Sequence, residues 1–167
     1  MIKRIVILVI LSGLFLELYI NSSLAKKWWD VYFTEGTQST QSNSDIEIKL
    51  AEYINNAQYS VDISSYTWGS AGTGNSFIRA INNAYTRGLK VRLVGDGERE
   101  INPNINSSIP RKLRNSSISG YGIQHNKMIV IDYGTANEKV IGGSANWTTG
   151  AMSAQFNNVL LITDHNI

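Results

Sequence analysis

The sequence contains no cysteine, and this absence excludes disulfide bonds as well as metal and redox sites built on thiolates. Histidine is scarce too: there are two in 167 residues, so any chemistry at an imidazole rests on His125 or His165. Neither positive nor negative charge predominates: the formal net charge is only +2, so the overall charge does not indicate a nucleic-acid partner. The length and a hydrophobic content of 43% are typical of one globular domain with a sizeable core.

The N-terminus carries the features of a secretory signal peptide. Lys3 and Arg4 precede an almost wholly apolar run over residues 5–16, and small residues occupy the −3 and −1 positions of a cleavage site that ends at Ala25. This order predicts a leader cut after Ala25 and an exported protein, either periplasmic or secreted. An uncleaved membrane anchor is the alternative, because apolar residues continue beyond Glu17 toward the roughly 20 residues that a membrane span needs.

Residues 26–167 are predicted to form a single catalytic domain of the α/β class, with a mixed sheet and helices on both of its faces. Ser44 and Glu47 fit a capping box at the start of one helix, and Asn75 or Ser76 caps a second helix that ends near Gly88. Residues 96–117 are polar and are predicted to form a long loop with a helical turn after residue 110. Strands are predicted at residues 29–33, 59–65, 89–94, 128–131, 139–141 and 158–163, with a further helical turn near residues 147–154.

One stretch concentrates the polar groups that chemistry needs. Residues 128–131 are predicted to be a buried strand, and side chains two positions apart on a strand point the same way, about 6.5–7 Å apart. His125 and Lys127 are therefore expected to project together, an imidazole beside a fixed cation. A Gly-Gly-Ser turn follows at residues 142–144 and adds Ser144, and Asn146 comes two residues later. Imidazole, ammonium, hydroxyl and amide in one place describe a site for a phosphate oxyanion.

The string His-x-Lys-x-x-x-x-Asp that starts at His125, followed by the Gly-Ser-x-Asn that ends at Asn146, resembles the phospholipase D superfamily. Because the motif occurs once in a short chain, the protein is most similar to the small bacterial endonuclease branch of this superfamily. The resemblance covers roughly residues 29–163. The resemblance implies a phospholipase D-like fold and a phosphodiesterase that works through a covalent phosphohistidine, with no metal or other cofactor. His125 would attack phosphorus, Lys127 and Asn146 would bind the non-bridging oxygens, and Ser144 would support those oxygens or the neighbouring histidine.

The implied mechanism needs a second histidine, which protonates the leaving oxygen and then activates water. The motif supplies only one, and His165 lies in the C-terminal segment after the last predicted strand, where little favours it. We therefore predict a homodimer whose twofold axis brings the two copies of His125 together. Asp132 belongs to the motif, but it has the opposite parity to His125 on an ideal strand, which favours a framework role over direct participation.

Substrate-binding residues rest on weaker signals. Arg111, Lys112 and Arg114 form either a solvated turn or a rim that holds the phosphates of a long polyanion. Members of the family often carry an acidic residue about eleven positions after the motif asparagine, where this chain has Asn157. An amide there would orient an imidazole but would stabilise its cation less than a carboxylate does.

Aromatic residues and the C-terminus leave further alternatives open. Tyr66, Trp68 and Trp147 either stack on bases or pack in the core and at its rim, and packing is the simpler expectation. Relatives usually continue into a C-terminal helix, which we expect to be missing here after the last strand; either the sequence is truncated or one face of the domain is bare.

Three functions fit the motif. The first is an exported endonuclease that hydrolyses DNA or RNA with little sequence preference. The second is a phospholipase D that hydrolyses the head group of a phospholipid, because the chemistry at phosphorus is the same. The third is a catalytically impaired protein that binds nucleic acid, which Asn157 makes conceivable and the intact His-x-Lys motif argues against.

Overall fold

A computed structural model of the protein describes residues 28–34, 36, 44–69, 75–114 and 122–163, so the predicted leader and His165 lie outside the described residues. Seven strands form one sheet in the order β1-β7-β6-β5-β2-β3-β4. Across the described ranges, no helix is long and apolar enough to cross a membrane. In chain order the elements are β1 (Trp29–Phe33), α1 (Asp45–Asn55), β2 (Ser60–Ser65), α2 (Ser76–Thr86), β3 (Lys90–Asp96), β4 (Arg111–Arg114), β5 (Lys127–Ile131), β6 (Lys139–Gly143), α3 (Thr149–Ser153) and β7 (Asn158–Ile162).

The sheet is mixed, as predicted, and its topology brings distant segments to one edge. β2 and β3 are parallel neighbours joined through α2, and β4 is parallel to β3. β5 runs antiparallel to β2, and the β5–β6, β6–β7 and β1–β7 pairs are antiparallel too. Lys127 at the start of β5 therefore pairs with Ser65 at the end of β2. The ends of β2 and β3 and the start of β5 all meet at this edge.

The helices begin at the caps that the sequence predicts. The Ser44 hydroxyl accepts the backbone N–H of Glu47 at 3.4 Å, and the Asn75 side chain accepts that of Ile78 at 3.1 Å. The buried Glu47 carboxylate also accepts a hydrogen bond from Asn75 Nδ2 at 2.8 Å. One charged hydrogen bond thus joins the starts of α1 and α2, which pack against each other.

A single apolar core lies between the three described helices and one face of the sheet. Val61 and Ile63 on β2 and Ile129 and Ile131 on β5 are at most 1% exposed and point into it, as strand alternation requires. Because α1, α2 and α3 bury their apolar sides in this same core, the described helices flank one face, whereas the prediction placed helices on both.

The opposite face of the sheet, which we call the open face, carries the alternate side chains of the same strands. A cavity of about 550 Å³ lies on it, and its lining is mostly apolar although it includes the Asp62–Arg92 ion pair. Other residues that line this cavity are Ser64, Val94, Lys112, Met128, Val130 and Tyr133.

The predicted loop over residues 96–117 is wrong in one part. Residues 111–114 form strand β4, which pairs in parallel with β3, and no helical turn follows Pro110. The segment reads Arg-Lys-Leu-Arg and shows no apolar alternation, because β4 is an edge strand whose side chains are exposed or only partly covered.

Candidate active site

His125 and Lys127 lie at the sheet edge where β5 begins. The His125 side chain is exposed, whereas Lys127 is only 8% exposed. Lys127 Nζ donates to the backbone carbonyl of His125 at 2.7 Å, which holds the ammonium against the main chain of the histidine. Burial lowers the pKa of Lys127 from its ordinary value, because a charge is costly to hold away from water. The pair thus presents a reachable imidazole next to a partly desolvated cation.

Tyr66 follows β2 and packs against both of these groups. Its ring lies edge-on to the His125 imidazole, with centroids 4.8 Å apart and an interplanar angle of 60°. Lys127 Nζ lies 5.6 Å from the centroid of the same ring, within the range of a cation–π attraction. The alternatives for Tyr66 were base stacking or packing, and the structure places it in the site itself. Trp68 and Trp147 are instead buried core residues, each 1% exposed.

Arg99 extends the site on the side away from β5, and sequence reasoning did not identify it. Its Nη2 and Nε atoms donate to the Tyr66 hydroxyl at 3.0 Å and 3.2 Å. One signal was available, because Arg99 follows the carboxyl end of the parallel strand β3, and open α/β sheets bind ligands outside such ends.

Asp96, the last residue of β3, holds the loops around the site. One carboxylate oxygen accepts the backbone N–H of Gln124 at 2.7 Å and Arg114 Nε at 3.1 Å, and the other accepts the backbone N–H of Glu98 at 3.0 Å. The Gln124 and Glu98 N–H groups, together with Arg114, lower the pKa of the Asp96 carboxyl. A buried carboxylate therefore ties the segment that precedes His125 to the loop after β3.

The glycine turn after β6 lies beside the start of β5, since Gly142 pairs with Met128. This register places Gly143 next to Lys127, and both line a groove of about 450 Å³ together with His125. Gly143 must lack a side chain, because a Cβ atom there would overlap the carbonyl oxygen of Asn158 on β7.

Ser144 and Asn157 form one hydrogen-bonded unit. The Ser144 hydroxyl donates to Asn157 Oδ1 at 2.9 Å and accepts the backbone N–H of Asn158 at 3.0 Å. Asn157 Nδ2 donates to the Ala151 carbonyl at 2.8 Å, and within the described residues Asn157 makes no hydrogen bond to His125. In a single chain, Asn157 therefore orients Ser144 rather than the imidazole.

Asn146 is held close to this unit by the chain. Its Oδ1 atom is buried and has no hydrogen-bond partner in the part of the chain that the structure describes. Buried polar atoms are nearly always paired in folded proteins, so this unpaired oxygen sets Asn146 apart from the other residues around the turn.

The structure does not bring Asp132 to the site. It follows β5 at the end opposite Lys127, five residues and about 16–17 Å along the strand. Its buried carboxylate accepts the backbone N–H groups of Gln58, Tyr59 and Ser60 at 2.7–3.1 Å. Asp132 thus fixes the turn that leads into β2, in agreement with a framework role.

The three basic residues of β4 have different hydrogen-bond partners, although Arg111 and Lys112 both line the cavity of the open face. Arg114 pairs with the buried Asp96, and Arg111 donates to the backbone carbonyls of Asn106 and Ile109 at 2.7 Å and 3.3 Å. Lys112 is exposed and lines the cavity of the open face. Two of the three cations therefore stabilise the fold locally.

Comparison with known proteins identifies the class. Residues 50–167 match the family model described as the PLD-like domain of cardiolipin synthase. The chain is 30% identical over 162 residues to a phospholipase D of Rickettsia conorii, which covers 94% of this chain and 72% of that protein. It is 26% identical over 138 residues to the mitochondrial cardiolipin hydrolase of Drosophila melanogaster, covering 70% of this chain but only about half, 51%, of that relative. The chain belongs to the phospholipase D superfamily of phosphodiester hydrolases.

Solved structures agree with this assignment at the level of the fold. NucT from Helicobacter pylori superposes with a TM-score of 0.60 at 25% identity, covering 81% of this chain and 85% of NucT. Nuc from Salmonella typhimurium, a phospholipase D family member, gives a TM-score of 0.59 at 23% identity, covering 81% of this chain and 84% of Nuc. The predicted phospholipase D-like fold is confirmed.

Proposed function

We propose that this protein is a phosphodiesterase that forms a covalent phosphohistidine at His125 and that its main substrate is nucleic acid. The observation that carries the proposal is that the exposed His125 imidazole and the buried Lys127 ammonium both lie against the Tyr66 ring, with the ammonium bonded to the His125 backbone. Lys127 has three N–H donors, and one is used on the His125 carbonyl, so two remain for the non-bridging oxygens of a phosphate. In this proposal Asn146 serves the same oxygens through its side-chain N–H groups, which are donors.

The reaction then has two balanced steps. In the first, a His125 ring nitrogen bonds to phosphorus while the bond to the leaving oxygen breaks, and that oxygen takes a proton from a second imidazole. In the second, the now neutral imidazole removes a proton from water, the resulting hydroxide attacks phosphorus, and the bond to His125 breaks. Charge builds on the non-bridging oxygens in both steps, so a cation already in place stabilises both transition states.

A second copy of the chain is the source of the second imidazole in this proposal. His125 is the only histidine within the described residues, and it is exposed at the sheet edge where a symmetric partner can approach. In a closed twofold dimer each His125 faces the other. The pair works with one imidazole neutral and the other protonated, which gives a bell-shaped dependence of kcat/KM on pH.

Nucleic acid is favoured by the open form of the site. The reacting groups lie at an exposed edge beside the Tyr66 ring and the Arg99 guanidinium, an aromatic group and a cation that suit a single strand. Phospholipid is the second candidate, because the groove at His125 also has apolar walls, formed by Met128, Val140, Leu160 and Ile162. The relatives named phospholipase D point to the same alternative.

One set of assays tests the proposal. The full chain, in EDTA, is offered plasmid DNA, single-stranded RNA, phosphatidylcholine vesicles and cardiolipin vesicles side by side. We expect cleavage of nucleic acid by the wild type, none by His125→Asn, and full activity in His165→Asn as the matched histidine control. Release of head groups from vesicles without nuclease activity would select phospholipid as the substrate, and activity that survives in His125→Asn would contradict the mechanism.

The dimer is tested separately with mixed dimers. A wild-type chain and a His125→Asn chain that carry different tags are co-expressed and purified through both tags in sequence. The mixed dimer has one imidazole in its site, so we expect it to be inactive. Half of the wild-type activity, or loss of activity in His165→Asn, would show that each chain completes its own site.

A further inference from the structure

Arg99 lies close to the reacting imidazole without touching it. Its guanidinium carbon is 5.2 Å from the centroid of the Tyr66 ring, and that centroid is 4.8 Å from the centroid of the His125 ring. The guanidinium is therefore at most about 10 Å from the imidazole. Two of its nitrogens donate to the Tyr66 hydroxyl, which gives the flexible side chain a fixed direction at the rim of the site.

No carboxylate within the described residues pairs directly with Arg99, in contrast to two arginines of the sheet. Arg92 is paired with Asp62, and Arg114 with Asp96. Within the described residues, no carboxylate lies within ion-pair distance of Arg99, although Glu98 and Asp96 are near enough to attract its charge, and the group that receives its hydrogen bonds is a phenol. A guanidinium has five N–H donors, and those not directed at Tyr66 are open to solvent.

We propose that Arg99 binds the phosphate next to the one that His125 attacks, so that Arg99 determines a preference for polynucleotides over isolated phosphodiesters. This inference rests on the proposed function. A nucleic-acid strand carries one charge for each about 3.4 Å of helical rise, so a neighbouring phosphate lies within reach of a cation at most about 10 Å from the imidazole that attacks. A diester with a single phosphate offers nothing to that cation. Tyr66 is the positioning residue that directs the guanidinium.

Kinetics on matched substrates test the assignment in the full-length protein. The substrates are a single-stranded oligonucleotide and a dinucleoside monophosphate, which has the same bases and one phosphate. The variants are Arg99→Gln, Tyr66→Phe, the double variant, and Arg79→Gln as a control at an exposed arginine of α2.

For Arg99→Gln we expect KM for the oligonucleotide to rise about tenfold with kcat nearly unchanged. The slope of log kcat/KM against log salt concentration should become shallower by about 0.7, which is the contribution of one phosphate contact on a single strand. The dinucleoside monophosphate should be hydrolysed as by the wild type, and Arg79→Gln should change neither substrate. Tyr66→Phe should raise the oligonucleotide KM by a smaller factor, and the double variant should be no worse than Arg99→Gln, because Tyr66 acts on this substrate through Arg99.

Three outcomes overturn the inference. An unchanged oligonucleotide KM in Arg99→Gln removes the adjacent-phosphate role while leaving the proposed nuclease intact. An equal loss on both substrates shows that Arg99 acts on the reacting phosphate. A wild type that hydrolyses phosphatidylcholine vesicles but not the oligonucleotide overturns the inference together with the choice of nucleic acid as substrate.

Discussion

Substitutions at Asp132 test whether this motif residue stabilises the fold or takes part in the reaction. Its carboxylate accepts three backbone N–H groups that precede and start β2, and its own backbone has a left-handed φ of 53°. Asparagine adopts this backbone conformation readily and keeps one acceptor oxygen, whereas alanine keeps neither advantage. Replacement by each residue therefore removes a different part of the interaction.

The size of the effect follows from the hydrogen bonds. A bond to a charged acceptor contributes about 1.5–3 kcal/mol, but the N–H groups of Gln58 and Tyr59 regain water when the carboxylate is lost, so the contributions do not add fully. We expect Asp132→Asn to lower the free energy of unfolding by about 2 kcal/mol and Asp132→Ala by about 4 kcal/mol, the latter including ~1 kcal/mol of backbone strain. At roughly 3–4 °C per kcal/mol for a domain of this size, Tm should fall by about 6–8 °C in Asp132→Asn and by more than about 10 °C in Asp132→Ala.

The assay measures thermal unfolding and kcat on the same preparations, with kcat recorded well below the lower Tm. If Asp132 belongs to the framework, the folded fraction of each variant has a kcat within about twofold of the wild type, while His125→Asn keeps its Tm and loses activity. An unchanged Tm together with a kcat lowered a hundredfold in Asp132→Asn would refute this reasoning and would show that Asp132 takes part in the reaction.

Three further predictions concern groups around the site. Burial lowers the pKa of Lys127, so we expect a second alkaline decline in kcat/KM below pH 10.5, in addition to the alkaline limb that the imidazole pair gives. Lys127→Arg should remove only this second decline, since a guanidinium stays charged, and an identical second decline in the variant would assign it to another group. Native hydrogen bonds lower the pKa of Asp96, so the stability it contributes is present above the unfolded pKa of 3.8 and is lost as the pH falls through the native pKa. In urea unfolding, we therefore expect Asp96→Asn to lose less stability below about pH 4 than the wild type does. Parallel plots of stability against pH would contradict this. Asn157→Asp places a carboxylate oxygen opposite the Ala151 carbonyl and should lower stability by about 1–2 kcal/mol in the same assay, whereas an increase would show that Asn157 is not held as described.

The elements that the sequence predicts well are those with local causes. Ser44 and Asn75 cap the two helices because their side chains reach N–H groups three residues ahead. β2 and β5 are recognisable because one face of each contributes to the core, so apolar residues occupy alternate positions or a continuous run. The proximity of His125 and Lys127 follows from the single residue between them, but β5 begins only at Lys127, so the two side chains do not share a strand face.

The features that sequence reasoning missed depend on contacts between distant segments. β4 was missed because its partner is a parallel strand and its own residues carry no pattern. The role of Asp96 depends on the Gln124 N–H, which lies 28 positions away in the chain. The role of Tyr66 beside His125 requires β5 to pair with β2, and nothing in the residues near Tyr66 indicates that pairing.

The pairing of β5 with β2 also determines when activity appears during folding. β2, α2 and β3 are consecutive in the chain and can form from short-range contacts, whereas Lys127 meets Ser65 only after a loop of about sixty residues has closed. A chain that has folded only its first half has Tyr66 and Arg99 in place but no nucleophile. In refolding experiments, catalysis should therefore return later than the helical signal, and hydrolysis would be restricted to completely folded molecules.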